Sequence, residues 1–431
     1  MHWLANFCYL IAAVFYAPVL IYQMVCQNKN RGGWRERFGH ITPREGDRAC
    51  IWIHAVSVGE VNATRALVQQ IRNAFLDVEI VISSTTDTGY DRAKTLYPDL
   101  KVVRYPLDFS WMICRTLDRL RPTVIVLMEL EVWYNLSTIA ARRGIKVCVV
   151  NGRFTERSAR RLRLIRPLVR RMFSVLAWVG AQNEQIAERF RRAGVRAACV
   201  DVVGSLKWDT ATIAEHVDGE KELAEALGIR RDRPLVVLGS SGPGEEEMMI
   251  DACAQLPVEL NEVQLAIVPR KPERFGEVAR LIEKKGRSCF KRSEQPDGSL
   301  PPTNTSGRGI VLGDTMGELR KFYSLSEVVL VGRTLVPMGG SDIMEIAALG
   351  KSIIVGPHTE NFADPVECLR QADAIVHLDS PAELAHGLEK LLADADLRRG
   401  MGERARRVVR QNQGATARTV QQLQKLLAES P

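Results

Sequence analysis

The segment IWIHAVSVGEV, residues 51–61, decides the fold class of this chain. Its apolar start predicts a buried strand, and Ser57-Val58-Gly59 predicts the turn that opens a helix. Glu60 then lies in the first helical turn, where a carboxylate gains about 0.3–1 kcal/mol from the helix dipole. Alternatively, Glu60 is a general base, because strand carboxyl ends present ligands in α/β folds. The segment alone leaves both interpretations open.

The composition indicates a globular protein of about two domains. The chain has 431 residues, of which 46% are hydrophobic and 26% charged, which excludes an intrinsically disordered chain. Its nine cysteines include no C-x-x-C pair, and this favours a reducing compartment over a disulfide framework or a zinc site. The net charge of +8 predicts a polyanionic partner: nucleic acid, an anionic membrane surface or a phosphorylated substrate.

The first 28 residues contain no Asp, Glu, Lys or Arg. Their apolar stretch, residues 4–25, would extend about 33 Å as a helix, against a hydrocarbon core of about 30 Å. Basic residues follow at Lys29, Arg31, Arg35 and Arg37. By the positive-inside rule, these charges keep the rest of the chain in the cytoplasm. We expect a single-pass membrane anchor over residues 1–28, and a buried or interfacial helix is the alternative.

Apolar, β-rich runs then alternate with amphipathic segments, and this alternation predicts βαβ units with parallel sheets covered on both faces. The predicted strands begin at Cys50, Glu79, Thr123, Lys146 and Ala198 and, after a polar segment at 209–232, at Pro234, Val263, Gly309, Glu327 and Ser352. We expect two doubly wound Rossmann-like domains facing a central cleft. They cover residues 29–210 and 211–431, and the second ends in one basic helix of about 30 residues, for which packing back on the first domain is an open alternative.

Charged residues follow several predicted strands. Glu129 and Glu131 follow one of them, and strand alternation predicts that at most one of these carboxylates faces the cleft. Lys207 follows another strand, at the same edge. A structural role is the alternative for these residues, and their position at strand carboxyl ends favours a functional one. Pro269-Arg270 ends a third, where an arginine can bind phosphate with its forked N–H groups. A structural ion pair is the alternative for Arg270.

Two glycine-containing segments of the second half predict helix starts. GSSGPGEEEMM, residues 239–249, matches neither the P-loop nor the dinucleotide fingerprint. Ordinary helix-start chemistry is the usual explanation, and a glycine-rich lip facing the cleft is the alternative. GDTMGELRKFY, residues 313–323, offers Asp314 or Thr315 as a helix cap. The free N–H groups that follow would make an anion site. These belong to Met316, Gly317 and Glu318.

A third segment, residues 339–362, reads GGSDIMEIAALGKSIIVGPHTENF. A double glycine, a helix carrying Glu345 and a buried strand are the pattern of a sugar-nucleotide pocket. In such a pocket a helix amino end meets phosphate and a carboxylate takes the ribose hydroxyls.

Residues 152–173 carry eight arginines interleaved with Leu and Ile. A solvated helix face is the usual explanation. The alternative is a surface for anionic lipid or for a phosphorylated acceptor. Nucleic acid is disfavoured, because few aromatic residues accompany the arginines to stack on bases.

Taken in order, these motifs resemble the 3-deoxy-D-manno-octulosonic acid (Kdo) transferase family of bacterial lipopolysaccharide synthesis. The resemblance covers residues 31–365. It implies a GT-B fold, CMP-Kdo as the donor and the lipid A precursor, lipid IVA, as the acceptor. It also implies an inner-membrane anchor with a cytoplasmic catalytic body. The motifs are WRERFG (34–39), HAVSVGE (54–60), MELEVW (128–133), NGRFTERS (151–158), AQNE (181–184), VGSLKWD (203–209), VPRKPERF (268–275), GDTMGEL (313–319) and GPHTENF (356–362).

Residue by residue, the resemblance places the catalytic base on Glu60 and the transition-state stabilisers on Glu129 and Lys207. It places the CMP site on Pro269, Arg270, Met316, Gly317, Glu318, Asp342, Ile343, Met344 and Glu345. One base and no covalent nucleophile predict an inverting single displacement. Helix amino ends, Arg270 and Lys207 would stabilise the leaving group without a metal or other cofactor.

The chain departs from the family pattern at several positions. Arg333 replaces a glycine, Ser341-Asp342 replace His-Asn, and SSGPGEE (240–246) lacks a histidine. Two other functions remain open: a different GT-B sugar-nucleotide enzyme such as an epimerase, or a membrane-attached nucleotide-sugar-binding protein without activity. The anchor and the arginine segment argue against the first, and the presence of Glu60 with Lys207 argues against the second.

Overall fold

The computed structural model describes residues 2–26, 32–260, 262–295 and 309–429. Lys29 and Arg31, on which the predicted orientation of the anchor partly depends, lie outside these residues. The chain divides into two compact units. Unit 1 comprises Met1–Thr210 with Asn412–Pro431, and unit 2 comprises Ala211–Gln411.

Unit 1 is built on a seven-stranded sheet in which neighbouring strands are parallel. The strands are β1 (Cys50–His54), β2 (Glu79–Ser84), β3 (Lys101–Arg104), β4 (Val124–Met128), β5 (Lys146–Gly152), β6 (Trp178–Ala181) and β7 (Val200–Val202). Their spatial order is β3-β2-β1-β4-β5-β6-β7. The order reverses between β1 and β4, and ligands bind at the carboxyl ends of the strands at such a switch point.

The first nine helices of the chain belong to unit 1. They are α1 (His2–Cys26), α2 (Trp34–Arg37), α3 (Val58–Ala74), α4 (Asp87–Leu96), α5 (Ser110–Leu120), α6 (Tyr134–Arg142), α7 (Glu156–Leu162), α8 (Arg166–Phe173) and α9 (Glu184–Ala193). Alternate residues of β1 enter two different cores. Trp52 belongs to the first core of unit 1, whereas Ile51 and Ile53 belong to the second core. The sheet is therefore covered on both faces, which explains its nearly uninterrupted apolar strands.

Helix α1 is long and apolar enough to cross a membrane. It has 25 residues, and its most apolar 18-residue window has a mean hydropathy of 2.0 with only 6% buried. Large apolar side chains are exposed along it, among them Phe7, Phe15 and Val25. This confirms the apolar amino-terminal helix expected from the sequence, by length and composition.

The first eight residues of α1, residues 2–9, are attached to α5 and α6 by polar contacts. Asn6 Nδ2 donates to Ser110 Oγ at 2.8 Å, and Ser110 N donates to Asn6 Oδ1 at 3.0 Å. His2 Nδ1 lies 2.8 Å from Asn135 Oδ1, and Tyr9 packs against the first core. The remaining part of α1, residues 10–26, spans about 25 Å at 1.5 Å per residue.

Unit 2 also has a seven-stranded sheet with parallel neighbours, in the order β10-β11-β9-β8-β12-β13-β14. The strands are β8 (Leu235–Ser241), β9 (Gln264–Pro269), β10 (Ser288–Lys291), β11 (Gly309–Leu312), β12 (Val328–Val331), β13 (Ser352–Val355) and β14 (Ile375–His377). The helices are α10 (Glu220–Ala226), α11 (Glu245–Ala254), α12 (Phe275–Lys284), α13 (Leu319–Leu325), α14 (Met344–Ala348), α15 (Ala363–Gln371), α16 (Leu384–Ala393) and α17 (Ala395–Asn412). Here the order reverses between β8 and β12.

The carboxyl terminus forms two helices where the sequence predicts one, and its last part belongs to unit 1, the alternative left open by the sequence, and not to a domain of residues 211–431. Helix α17 ends at Asn412, and a separate helix α18 (Ala415–Ala428) belongs to unit 1. The Asp209 carboxylate accepts hydrogen bonds from Gly414 N at 2.7 Å and Thr416 N at 2.5 Å. Leu423 packs in the second core of unit 1. A helix cap and apolar burial therefore return the chain end to unit 1.

Candidate active site

The turn between β1 and α3 places Glu60 at the switch point of unit 1. Ser57 caps α3, and its Oγ accepts from Glu60 N at 3.4 Å. The Glu60 carboxylate accepts in return from Ser57 Oγ at 3.1 Å and from Val56 N at 3.0 Å. This is a variant of the capping box, whose S-x-x-E spacing is visible in the sequence. The local structure thus fixes the carboxylate at the carboxyl end of β1.

The pKa of Glu60 is raised to about 7. Burial is the largest cause; the hydrogen bond from Val56 N–H lowers the pKa, and the charges of Glu129 and Glu131 raise it. A carboxylate with a pKa near neutrality is suited to general-base catalysis, because it is ionised at working pH and still basic enough to take a proton.

The charges of both carboxylates of the MELEVW motif raise the pKa of Glu60. Strand alternation predicts that at most one of them faces the cleft. Strand β4 ends at Met128, so residues 129–131 do not alternate as strand residues do. Glu131 accepts a hydrogen bond from Trp133 Nε1 at 3.1 Å. Burial raises the pKa of Glu131, and the charge of Glu129 raises it as well.

Glu129 and Asn151 have left-handed backbone conformations at the ends of neighbouring strands. Each has φ of 55°, and β4 pairs with β5 with Met128 opposite Val150. Such conformations cost about 1–3 kcal/mol outside glycine and concentrate at functional sites. Glu129 N donates to Val150 O at 3.0 Å, which holds the turn.

Asn151 connects this turn to the segment that carries Lys207. Its Oδ1 accepts from Leu206 N at 3.1 Å, at the start of the 3₁₀ helix Leu206–Thr210. The side chain of Lys207 is half-buried. Glu60, Glu129 and Lys207 thus follow strands β1, β4 and β7, at the carboxyl ends of the strands of the unit 1 sheet. The sequence analysis missed the role of Asn151, although Asn before Gly at a strand end indicates a left-handed residue.

In unit 2, Arg270 lies at the carboxyl end of β9, where its backbone N donates to Ser241 O at 3.3 Å. Tyr323 is buried nearby. Burial raises the pKa of Tyr323, the charges of Glu345 and Asp342 raise it further, and Arg270 lowers it. These influences place Arg270, Asp342 and Glu345 around one phenol. The predicted donor residues after β9 and at the start of α14 therefore lie near the same buried side chain.

The remaining residues of the 342–345 segment contribute backbone groups and not accessible side chains. Ile343 and Met344 are buried, and Met344 N donates to Asp342 Oδ1 at 2.8 Å. Pro269 is the last residue of β9, so it holds the position of Arg270.

The predicted helix caps Asp314 and Thr315 have other functions. Helix α13 begins only at Leu319. Asp314 accepts hydrogen bonds from the backbone and hydroxyl of Ser293, and Thr315 Oγ1 donates to Glu318 Oε2 at 2.5 Å. The Met316-Gly317-Glu318 turn follows β11, whose neighbour in the sheet is β9. Met316 is 70% exposed, so this turn presents an accessible surface beside the end of β9.

The charge of Glu318 is already compensated. Arg292 Nε donates to Glu318 Oε2 at 3.0 Å. Burial alone would raise the pKa of Glu318, but the hydrogen bonds from Arg292 and Thr315 lower it. A ligand at this turn would therefore meet the backbone N–H groups of Met316 and Gly317 before the carboxylate.

Glu245 connects the two strand ends at the switch point of unit 2. This buried carboxylate accepts from Gly242 N, Thr334 N and Leu335 N at 2.7, 2.9 and 3.0 Å and from Arg333 N at 2.5 Å. The sequence explains the three glutamates of residues 245–247 as helix-start chemistry. The position of Glu245 in the first turn of α11 was visible in the sequence, but three of these four partners, at residues 333–335, are about 90 residues away.

The comparison with known proteins identifies the family. The family profile described as 3-Deoxy-D-manno-octulosonic-acid transferase (kdotransferase) matches residues 32–210. The chain is 31% identical over 402 residues to the 3-deoxy-D-manno-octulosonic acid transferase of Haemophilus influenzae, covering 91% of both chains. The corresponding protein of Bordetella pertussis is 31% identical over 432 residues, with 96% of this chain and 98% of the relative covered. The chain belongs to the Kdo transferase family.

The fold of this Kdo transferase is GT-B, as the resemblance implied. A putative UDP-N-acetylglucosamine 2-epimerase of Listeria monocytogenes superposes with a TM-score of 0.54 at 13% identity, over 89% of this chain and 98% of the other. MurG of Acinetobacter baumannii superposes with a TM-score of 0.53 at 15% identity, over 88% of this chain and 100% of the other. At these identities the superpositions establish the fold alone.

A further feature of the Kdo transferase is a pocket of about 740 Å³ on unit 1, between the arginine-rich helices α7 and α8 and helix α9. Apolar side chains line part of it, including Phe154, Leu162 and Val169. Five arginines and a single glutamate provide its charged side chains. The arginines are Arg160, Arg163, Arg166, Arg189 and Arg192. An apolar surface with several cations suits an amphiphilic anion.

Potential metal ligands are scattered in the described part of the chain. No group of three or more His, Cys, Asp or Glu side chains that could hold a metal ion occurs among the residues that the structure describes.

Proposed function

We propose that this Kdo transferase moves Kdo from CMP-Kdo to the lipid A precursor, lipid IVA, at the bacterial inner membrane. The observation that carries the acceptor assignment is the arginine-lined apolar pocket on unit 1, the unit that also contains Glu60 and the apolar helix α1. Lipid IVA combines phosphates with acyl chains, and the pocket combines guanidinium groups with apolar side chains.

The donor site of the proposal lies on unit 2. Arg270, Asp342 and Glu345 lie around Tyr323, and the Met316-Gly317 turn follows the adjacent strand end. Arg270 would bind the phosphodiester of CMP by charge-assisted hydrogen bonds. Asp342 or Glu345 would accept hydrogen bonds from the ribose hydroxyls, for which carboxylates are suited.

The proposed reaction is a single displacement with inversion. The acceptor hydroxyl oxygen attacks the anomeric carbon of Kdo, its proton passes to the Glu60 carboxylate, and the bond to the CMP phosphate breaks with its electron pair leaving on CMP. A pKa of about 7 suits Glu60 to this transfer. Glu129 and Lys207 would stabilise the charges that develop on the sugar and on the leaving phosphate.

We propose that transfer needs no metal. The leaving group carries one phosphodiester, and Arg270, Lys207 and backbone N–H groups supply the compensating charge. Activity should therefore be unchanged in excess chelator, and a loss of activity restored by a divalent cation would contradict this part of the proposal.

Helix α1 is proposed as the membrane anchor. It has no charged residue and exposes its apolar side chains, and basic residues follow it in the sequence. The catalytic body would be cytoplasmic, where CMP-sugars are available.

The test is mass spectrometry of lipid IVA after incubation with CMP-Kdo and the purified full-length protein. We expect a product heavier by one or more Kdo residues. A matched pair of variants tests the pocket: Arg163→Ala/Arg166→Ala should raise the KM for lipid IVA, whereas Arg157→Ala, in the same helical segment but outside the pocket, should leave it unchanged. Hydrolysis of CMP-Kdo without Kdo-lipid product would contradict the acceptor assignment.

A further inference from the structure

Arg333 lies at the switch point of the unit 2 sheet. It follows β12, two residues after that strand ends at Val331, and β12 and β8 are the strands between which the order reverses. Ligands of open α/β sheets bind outside the carboxyl ends of the strands at this point. Arg333 therefore lies where such folds bind their ligands, although the predicted CMP site does not include this residue.

The backbone of Arg333 is held in an unusual conformation. Its φ is 66°, in the left-handed region that favours glycine. Its backbone N donates to the buried Glu245 carboxylate, which also accepts from Thr334 N at 2.9 Å. Two hydrogen bonds to one buried carboxylate thus maintain a strained arginine, and strain of this kind is characteristic of ligand-binding sites.

The side chain of Arg333 lies over the end of β8. Its Cγ would be 3.3 Å from a Cβ placed on Gly242, and one Nη donates to Met338 O at 3.0 Å. Nε is buried and has no hydrogen-bond partner among the described residues. The guanidinium thus keeps unused donor capacity, since it carries five N–H groups.

Arg270 approaches the same strand end from the other side. Its backbone N donates to Ser241 O, the residue before Gly242, and its side chain is exposed. Burial lowers the pKa of Arg333, and the charge of Arg270 lowers it further. Two guanidinium groups on opposite sides of one glycine repel each other unless an anion lies between them.

We propose that Arg333 is a second anion-binding residue of the donor site, paired with Arg270 across the end of β8. The inference rests on the proposed donor. CMP-Kdo carries two anionic groups, the phosphodiester and the Kdo carboxylate, and either presents oxygens that a guanidinium binds. Arg333 binds one of these groups, and the ligand series below identifies which.

The test uses Arg333→Gly in the full-length protein. Glycine adopts φ of 66° without strain, so folding and the midpoint of thermal unfolding should be retained. Affinity for CMP and for CMP-Kdo is measured by calorimetry, with Arg270→Ala as the comparison. Arg280→Ala, an exposed arginine of α12, is the control that removes the same formal charge away from the strand ends.

We expect Arg333→Gly to weaken donor binding roughly ten- to hundred-fold, which is about 1.4–2.8 kcal/mol at 1.4 kcal/mol per tenfold, and Arg280→Ala to have no effect. Weaker binding of both ligands assigns Arg333 to the phosphodiester, and weaker binding of CMP-Kdo alone assigns it to the carboxylate. Wild-type affinity for both ligands would overturn the inference and leave Arg333 a loop residue. Failure of the wild-type protein itself to bind CMP would instead contradict the proposed donor.

Discussion

Ser57 and Glu60 exchange hydrogen bonds across the first turn of α3: Ser57 Oγ donates to the Glu60 carboxylate at 3.1 Å and accepts from Glu60 N at 3.4 Å. The pair thus satisfies the helix start and holds the carboxylate at the end of β1. The two interpretations of Glu60 from the sequence are therefore compatible. A cap fixes the side chain, and its raised pKa suits it to accept a proton.

Glu60→Gln separates the two functions. Glutamine keeps the size of the side chain and still accepts a hydrogen bond from Val56 N–H, but it cannot accept the proton of an alcohol. We expect the transfer rate to fall about 10²–10⁴-fold, measured in steady-state assays with lipid IVA. CMP affinity should be unchanged, because the proposed donor residues belong to unit 2.

Ser57→Ala is the control for the structural contribution. It removes the cap, at a cost of about 1 kcal/mol of stability, and leaves the Glu60 carboxylate and its bond to Val56 in place. Its rate should remain within a few-fold of wild type. If Glu60→Gln transfers Kdo as fast as Ser57→Ala, Glu60 is a helix-start residue and another group is the base.

The pH dependence of transfer should follow the ionisation of Glu60. Below a pH of about 7 the carboxylate is protonated and cannot act as a base. We expect kcat/KM to rise through that value and to level off above it, and the residual activity of Glu60→Gln to lack this rise. Glu129 and Glu131, whose charges raise the pKa of Glu60, contribute to its position, so Glu129→Gln should shift the rise to lower pH.

Stability should change with pH in the opposite direction. The pKa of Glu60 in the folded chain exceeds the ordinary value of 4.5. The contribution of this group to stability is therefore present below about pH 4.5 and is lost as the pH rises through about 7. The buried Asp108, whose pKa burial also raises to about 7, adds to the same trend. Thermal unfolding from pH 5 to 8 should thus show Glu60→Gln gaining stability relative to wild type as the pH rises.

Ten of the fourteen strands follow from the sequence because each is an apolar run whose neighbours are helical. The other four, β3 (KVVR), β6 (WVGA), β10 (SCFK) and β14 (IVH), were not predicted, because each has only three or four residues, and β3 and β10 also carry charges. All four lie at or next to a sheet edge, where burial on both faces is not required. The sequence left open whether the carboxyl-terminal helix packs on the first domain, because the residue that caps α18, Asp209, is about 200 residues away.

The residues of the candidate site likewise divide into those whose positions the sequence indicates and those that depend on distant contacts. The positions of Glu60, Glu129, Lys207 and Arg270 after strand ends could be predicted, because each follows an apolar run in the sequence. The contributions of Asn151 and Glu245 depend on hydrogen bonds to distant backbone groups, at Leu206 N and Thr334 N. No local pattern specifies such partners, because the sheet alone brings them together.

Asp209 should be essential to the attachment of α18 to unit 1. Asp209→Ala removes two backbone hydrogen bonds to residues 414 and 416 and leaves an uncapped helix. We expect a loss of about 1 kcal/mol or more in the free energy of unfolding, together with faster hydrogen exchange in residues 415–428. Asp394→Ala is the matched control, since Asp394 Oδ1 caps α17 only locally, accepting from Leu397 N at 2.8 Å. Equal exchange in α18 for both variants would contradict the assignment.

The polar contacts of α1 with α5 and α6 can be tested by removing one of them. If its first eight residues bind α5 and α6 in solution, Ser110→Ala should destabilise the full-length protein by about 0.5–1.5 kcal/mol, because it removes the hydroxyl that Asn6 contacts. In a truncated chain starting at residue 29 the same substitution should have almost no effect, because Asn6 is gone. Thermal unfolding of the four proteins, in detergent for the full-length pair, gives this comparison.

The same contacts predict the side of the membrane on which α1 begins. Residues 10–26 span about 25 Å, which is less than a hydrocarbon core of about 30 Å, so a helix attached at His2 and Asn6 keeps its amino end on the side of the body. A cysteine introduced at the exposed Trp3 should react with a membrane-impermeant maleimide only when the inner membrane is opened, as should one at Leu76 on the body. Reaction of Trp3→Cys alone in intact spheroplasts would instead establish a single-pass crossing, in which the polar contacts to Ser110 and Asn135 have separated.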